Sequence, residues 1–85
     1  MIATTIKARH LDDIEAGVKT HDYRACNAFW KKRIEGKVHR AIIFICGRRI
    51  KGFKVKSITV VDVPPHHRDL IEGDKCYAIE LGGGL

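Results

Sequence analysis

Gly17-Val18-Lys19-Thr20-His21-Asp22-Tyr23-Arg24 is the stretch on which the reading of this chain turns. A glycine ends an apparent helix, a lysine follows in the turn, and an acid and an arginine come next at alternate positions. Thr20 to Arg24 reads as an extended strand, in which successive side chains point to opposite faces. Thr20, Asp22 and Arg24 then share one face, and His21 and Tyr23 share the other. An acid set between cations suits a ligand that carries both a negative charge and hydrogen-bond donors. The same spacing fits an Asp22–Arg24 ion pair that braces the loop, and the sequence leaves both readings open.

Upstream, Ile2 to Lys7 alternates as a short strand, and His10 to Ala16 reads as a short helix with Leu11 and Ile14 on one side. Gly17 is placed to stop it. Downstream, Ala25 to Ile34 is a second helix that ends at Gly36. Ala41-Ile42-Ile43-Phe44-Ile45 is a buried strand, and Gly47 to Gly52 is a basic hairpin turn. Phe53 to Val63 is a long strand. Its first half alternates apolar residues with Lys54 and Lys56, and its second half reads as covered on both faces. Pro64-Pro65 stops it. His66 to Ile71 suggests a helical turn, Cys76 to Leu81 alternates as the last strand, and Gly82-Gly83-Gly84 reads as a flexible tail. Residues 1–81 thus form one domain and residues 82–85 a tail. The fold class is α+β, with a curled antiparallel sheet and two short helices in the N-terminal half.

The 85 residues carry a net charge of +6, which favours an anionic partner. The charge is segregated. Between Arg24 and Lys56 the only acid is Glu35, while Lys31, Lys32, Arg33, Lys37, Arg48, Arg49, Lys51 and Lys54 all lie in that span. One basic face is expected. No apolar run is long enough to span a membrane, and no charged leader precedes an apolar stretch, so no membrane partner and a cytoplasmic location are expected. Cys26, Cys46 and Cys76 are an odd number, far apart and without a C-x-x-C, which argues against a disulfide framework and a zinc site. His66 and His67 are adjacent and point apart in any regular element, and His10, His21 and His39 are scattered. No metal and no cofactor are expected.

Gly17-x-Lys19-x-x-Asp22-x-Arg24 resembles the signature of ASCH domains, usually written G-x-K-x-x-E-x-R, with aspartate here in place of glutamate. The resemblance extends to Phe29-Trp30-Lys31-Lys32-Arg33, to Ala41–Cys46 followed by Gly47-Arg48-Arg49, and to Tyr77-Ala78-Ile79-Glu80-Leu81-Gly82. It implies a small PUA-like β-barrel with a central cleft lined or braced by Lys19, Asp22 and Arg24. It also implies a role in binding RNA or a nucleotide-like ligand.

On that reading the ligand-binding residues are Gly17, Lys19, Asp22, Arg24, Trp30, Arg48, Arg49 and Lys54. A cleft lysine binds phosphate or polarises a carbonyl. A carboxylate accepts hydrogen bonds from a base edge. Trp30, followed directly by three cations, is offered as a stacking surface, whereas Tyr23 and Phe29 are expected to pack. Arg48, Arg49 and Lys54 are expected phosphate contacts. The alternative is a hydrolase. One branch of the family removes the acetyl group from N4-acetylcytidine with the motif lysine, a threonine and a later glutamate. Asp22 stands where that branch has threonine, so only Lys19 carries over. Ribonuclease chemistry, also proposed within the family, would draw on Lys19, Asp22 and Tyr23 or Tyr77 as acid–base groups. A third alternative is a stand-alone protein-interaction module.

Overall fold

Leu11 and Ile14 are buried on one side of helix α1 (Ala8–Glu15), and that side faces a curled five-stranded sheet. The computed structural model describes residues 1–85. The strands are β1 (Ile2–Thr5), β2 (His21–Ala25), β3 (Ala41–Cys46), β4 (Arg49–Asp62) and β5 (Lys75–Gly84), arranged in the order β1-β3-β4-β5-β2. Helix α2 (Ala28–Ile34) follows β2, and a 3-10 turn (Pro65–His67) lies between β4 and β5. The domain is α+β, and its sheet is a half-barrel with β1 and β2 at the two edges.

One pairing departs from an all-antiparallel sheet. β1 and β3 run parallel, with Ile2 opposite Ile42 and Thr5 opposite Ile45. Parallel neighbours need a long crossover, and here α1, β2 and α2 together supply it. The alternation in Ile2–Thr5 was legible, but nothing in so short a strand encodes its direction.

The main core fills the inside of the curl. Ile42, Phe44, Phe53, Tyr77, Ile79 and Leu81 come from the sheet, Leu11 and Ile14 from α1, and Trp30 and Ile34 from α2. Asn27 caps α2 by accepting a hydrogen bond from the Trp30 amide at 2.9 Å, which fixes where Trp30 enters the core. A second, smaller cluster of Val63, Ile71 and Cys76 lies against Tyr23, Ala25 and Val61. Cys76 to Ile79 is therefore buried on every residue. The strand covered on both faces is β5, not the second half of β4 as expected. Val60 in β4, paired with Tyr77, remains 59% exposed, while Val61 on the other face is half-buried against the second cluster.

The glycine-rich end is also ordered pairing, not a flexible tail. β5 runs to Gly84, which sits opposite Phe53, and the Leu85 amide donates to the Gly52 carbonyl at 2.9 Å. Two register shifts between Phe53 and Ser57 bring this end alongside β4. A Cβ on Gly82 would stand 3.1 Å from the Lys54 Cβ, so the missing side chain permits the close approach. The hairpin between β3 and β4 is tighter than expected. Only Gly47-Arg48 forms the turn, with φ of 60° at Gly47, and Arg49 to Gly52 is already strand. A glycine in first place fits a type II′ turn, whose twist matches the flanking strands.

Candidate functional site

The half-barrel leaves a gap between its edge strands, and the motif residues stand along it. Gly17 (φ 77°) turns the chain out of α1, and the Asp13 carbonyl accepts from the amides of Val18 and Lys19 at 2.9 and 3.0 Å. That closure fixes where Lys19 starts. Gly17 itself does not line the cleft, so its role is to form the turn. β2 then pairs with β5, Asp22 opposite Ile79 and Arg24 opposite Tyr77, which puts both on the core side of the sheet. His21 and Tyr23 take the outer face, where their rings are stacked with centroids 6.1 Å apart.

Arg24 Nε donates to Asp22 Oδ2 at 2.6 Å, and Nη2 donates to Oδ1 at 3.3 Å. Both carboxylate oxygens of Asp22, a residue only 3% exposed, are therefore engaged by one guanidinium. The same Nη2 reaches the Thr5 carbonyl at 3.2 Å. Arg24 thus ties edge strand β2 to edge strand β1 through its side chain, where the backbones do not pair. Its Cζ also lies 5.0 Å from the centroid of the Trp30 ring. Trp30 is buried and carries Arg24 on its face, so it supports the site from below and is not an open stacking platform.

Above this brace is a cleft of about 550 Å³, lined by both edges, Thr5 to Lys7 and Asp22 to Ala25, together with His10, Lys19, Trp30 and His67. Lys19 is its most telling side chain. Four ion pairs occur in the protein: Arg24–Asp22, Arg49–Asp12, Arg49–Glu15 and Lys75–Asp62. Lys19 belongs to none of them. Its Nζ lies 3.4 Å from His10 Nδ1, a contact in which a protonated lysine donates to a neutral imidazole. Burial pushes the Lys19 ammonium below the ordinary lysine value, the Asp22 charge acts against that, and Arg24 adds to the lowering. His10 is lowered as well, first by burial, then by Lys19 and Arg9.

The remaining expected site residues fall elsewhere. Arg48, Arg49 and Lys54 do not line the cleft. Arg49 is spent on α1, 2.9 Å from Asp12 Oδ1 and 3.4 Å from Glu15 Oε1. Tyr23 lines the cleft half-buried, with its ring 5.1 Å from that of His67. Phe29, expected to pack, is 55% exposed, with the Arg33 guanidinium 3.8 Å over its ring. Tyr77 lies outside the cleft. Its hydroxyl donates to Glu35 Oε2 at 2.5 Å, and that bond pushes it up to about 12.

Sequence reading missed the histidines. His67 is 8% exposed, one of two buried polar residues, with its ring 4.4 Å from His66 and 6.3 Å from His10. Proline at the start of the 3-10 turn was the available signal, because it fixes the bend that folds His66 and His67 back over β2. The histidines, cysteines and acids form no group arranged to hold a metal ion, and no helix is long and apolar enough to cross a membrane. No protein-family model, curated protein or solved structure matches this chain.

Proposed function

We propose that the chain is a small ASCH-type, PUA-like module that binds RNA or a nucleotide-like ligand in the cleft between its sheet edges. The observation that carries this reading is Lys19, a half-buried cation with no carboxylate within ion-pair distance, facing a cleft whose one acid is already paired. A charge held out of water without a partner costs free energy, and an anionic ligand supplies the missing partner. Arg24 and Asp22 act as a brace that sets the width of the gap. Tyr23 offers a ring edge to a base, and the cations of residues 24–56 add long-range attraction for a polyanion.

The hydrolase alternative draws on the Lys19–His10 contact, which places a lowered ammonium beside an imidazole. It is the weaker reading because Asp22 is committed to Arg24 and the Tyr77 hydroxyl to Glu35, so neither supplies a free base in the cleft. No specific observation favours a protein-interaction role.

The test is fluorescence anisotropy with a short single-stranded RNA over a series of salt concentrations. Affinity is expected to fall steeply with salt, with a smaller slope for Lys19→Ala, as one phosphate contact is lost. A salt-insensitive interaction, or the same slope in the variant, contradicts the reading.

A further inference from the structure

Beside Lys19 the cleft adjoins a second, open-mouthed chamber of about 350 Å³, to whose lining the motif residues contribute only Lys19. It shares His10, Lys19, Tyr23 and His67 with the main cleft and adds His21 and His66 on its own account. Four imidazoles and an ammonium thus surround one space, and the only acid at its wall is Asp13, which is exposed. The backbone that carries His67 is held in place. The His67 amide bonds to the Pro64 carbonyl at 2.9 Å, and the His67 carbonyl accepts from the amides of Leu70 and Ile71, both at 3.0 Å. On the opposite wall, Thr20 Oγ1 and His21 Nδ1 are 2.9 Å apart.

We propose that this chamber is an oxyanion subsite, which takes a phosphate group and holds it more tightly as His10 and His67 gain protons. The proposal deepens the nucleotide reading and rests on it only for what carries the phosphate. The chemistry is that of convergent N–H donors. Lys19 supplies an ammonium donor, and each imidazole that protonates turns an acceptor nitrogen into a second donor.

The groups facing these two rings come from every surrounding element: Arg9 and Asp13 from α1, Lys19 from the turn, His21, Asp22 and Tyr23 from β2 and His66 from the 3-10 turn. Asp22 already answers to Arg24, and Asp13 is open to water, so cationic neighbours dominate. Burial, with His66, Lys19 and His10 behind it, lowers His67; burial, with Lys19 and Arg9, lowers His10. Both rings are therefore neutral near pH 7. An anion among them favours their charged forms, and by linkage its own affinity rises as protons are taken up.

Sulfate is the direct probe, because it keeps its double charge across the range in which histidines titrate, and any pH dependence then belongs to the protein. The histidine ring signals are followed by NMR as sulfate is added at about pH 5.5 and about pH 8. The His10, His66 and His67 rings are expected to shift, with affinity at least about tenfold higher at the lower pH, the gain set by one linked proton per unit. His66→Gln, at an exposed position, is expected to weaken sulfate binding several-fold. Rings that stay unmoved at both pH values, or equal affinity at both, overturn the proposal.

Cytidine and cytidine 5′-monophosphate separate the sources of the phosphate. A monophosphate that binds more tightly than cytidine and shifts the same rings assigns the subsite to a nucleotide. Sulfate and inorganic phosphate binding, with neither cytidine compound bound, keeps the subsite and removes the nucleotide reading. Cytidine binding in the main cleft without any sulfate response does the reverse.

Discussion

The two faces of β2 solve the problem of charge in opposite ways. On the inner face Asp22 is almost fully buried, but both its oxygens meet Arg24, and Arg24 in turn meets the Thr5 carbonyl and lies over Trp30. On the outer side Lys19 is half-buried beside His10 and His67, and no carboxylate meets it. The inner pair is complete within the protein and holds the sheet edges at a fixed separation. The outer cluster has no carboxylate within the protein, and the proposed anionic ligand is what would complete it. A buried charge with its partner is evidence for architecture, and a part-buried charge without one is evidence for a ligand.

Breaking the inner pair has the larger effect on folding. Asp22→Ala leaves Arg24 beside the core without its carboxylate, and removing one partner of a buried pair costs about 3–5 kcal/mol. Chemical denaturation reads this directly, and a loss below about 1 kcal/mol shows that the pair does not brace the edges. The outer cluster behaves oppositely. Lys19→Met keeps the stem and removes the charge, so stability is expected to hold or rise by no more than about 1 kcal/mol, while RNA affinity falls. Comparable destabilisation in both variants erases the distinction between the two faces.

The third effect is smaller and depends on pH. The unfolded chain protonates His10 and His67 at the ordinary value of 6.5, whereas the folded protein does so only below it. Over that interval the unfolded state binds more protons, so stability is complete above 6.5 and declines as pH falls through it. Thermal unfolding between about pH 8 and pH 5 checks the decline, and sulfate is expected to reduce it. Melting temperatures independent of pH across that range contradict the placement of these rings.

Local pattern made the elements legible, and chain-distant packing made the site hard to see. The spacing of Leu11 and Ile14 and the stop at Gly17 were enough for α1, and alternation was enough for β2 and its faces. Lys19, Asp22 and Arg24 do gather at one cleft, because they lie within six residues of each other on one turn and strand. His10, His21 and His67 are far apart in sequence and meet only once Pro64 to Ile71 folds over the outer face. The tail was misread for a related reason. Glycine lacks a side chain both in disordered ends and where backbones crowd, and only the approach of Gly82 to Lys54 tells the two apart. Arg49 was misplaced because its partners, Asp12 and Glu15, lie on an element from the other end of the chain.

Amide-resolved NMR of the labelled protein with a short single-stranded RNA, repeated with Lys19→Met, decides whether the cleft or the basic surface takes the anion. Shifts are expected to concentrate on Thr5 to Lys7 and Lys19 to Ala25, the two edges of the gap, and to be lost in the variant. Shifts spread over Lys31 to Arg33 and Arg48 to Lys56, with the edges silent and the variant unchanged, contradict it. They would make the basic surface, not the lysine without a carboxylate, the place where an anion binds.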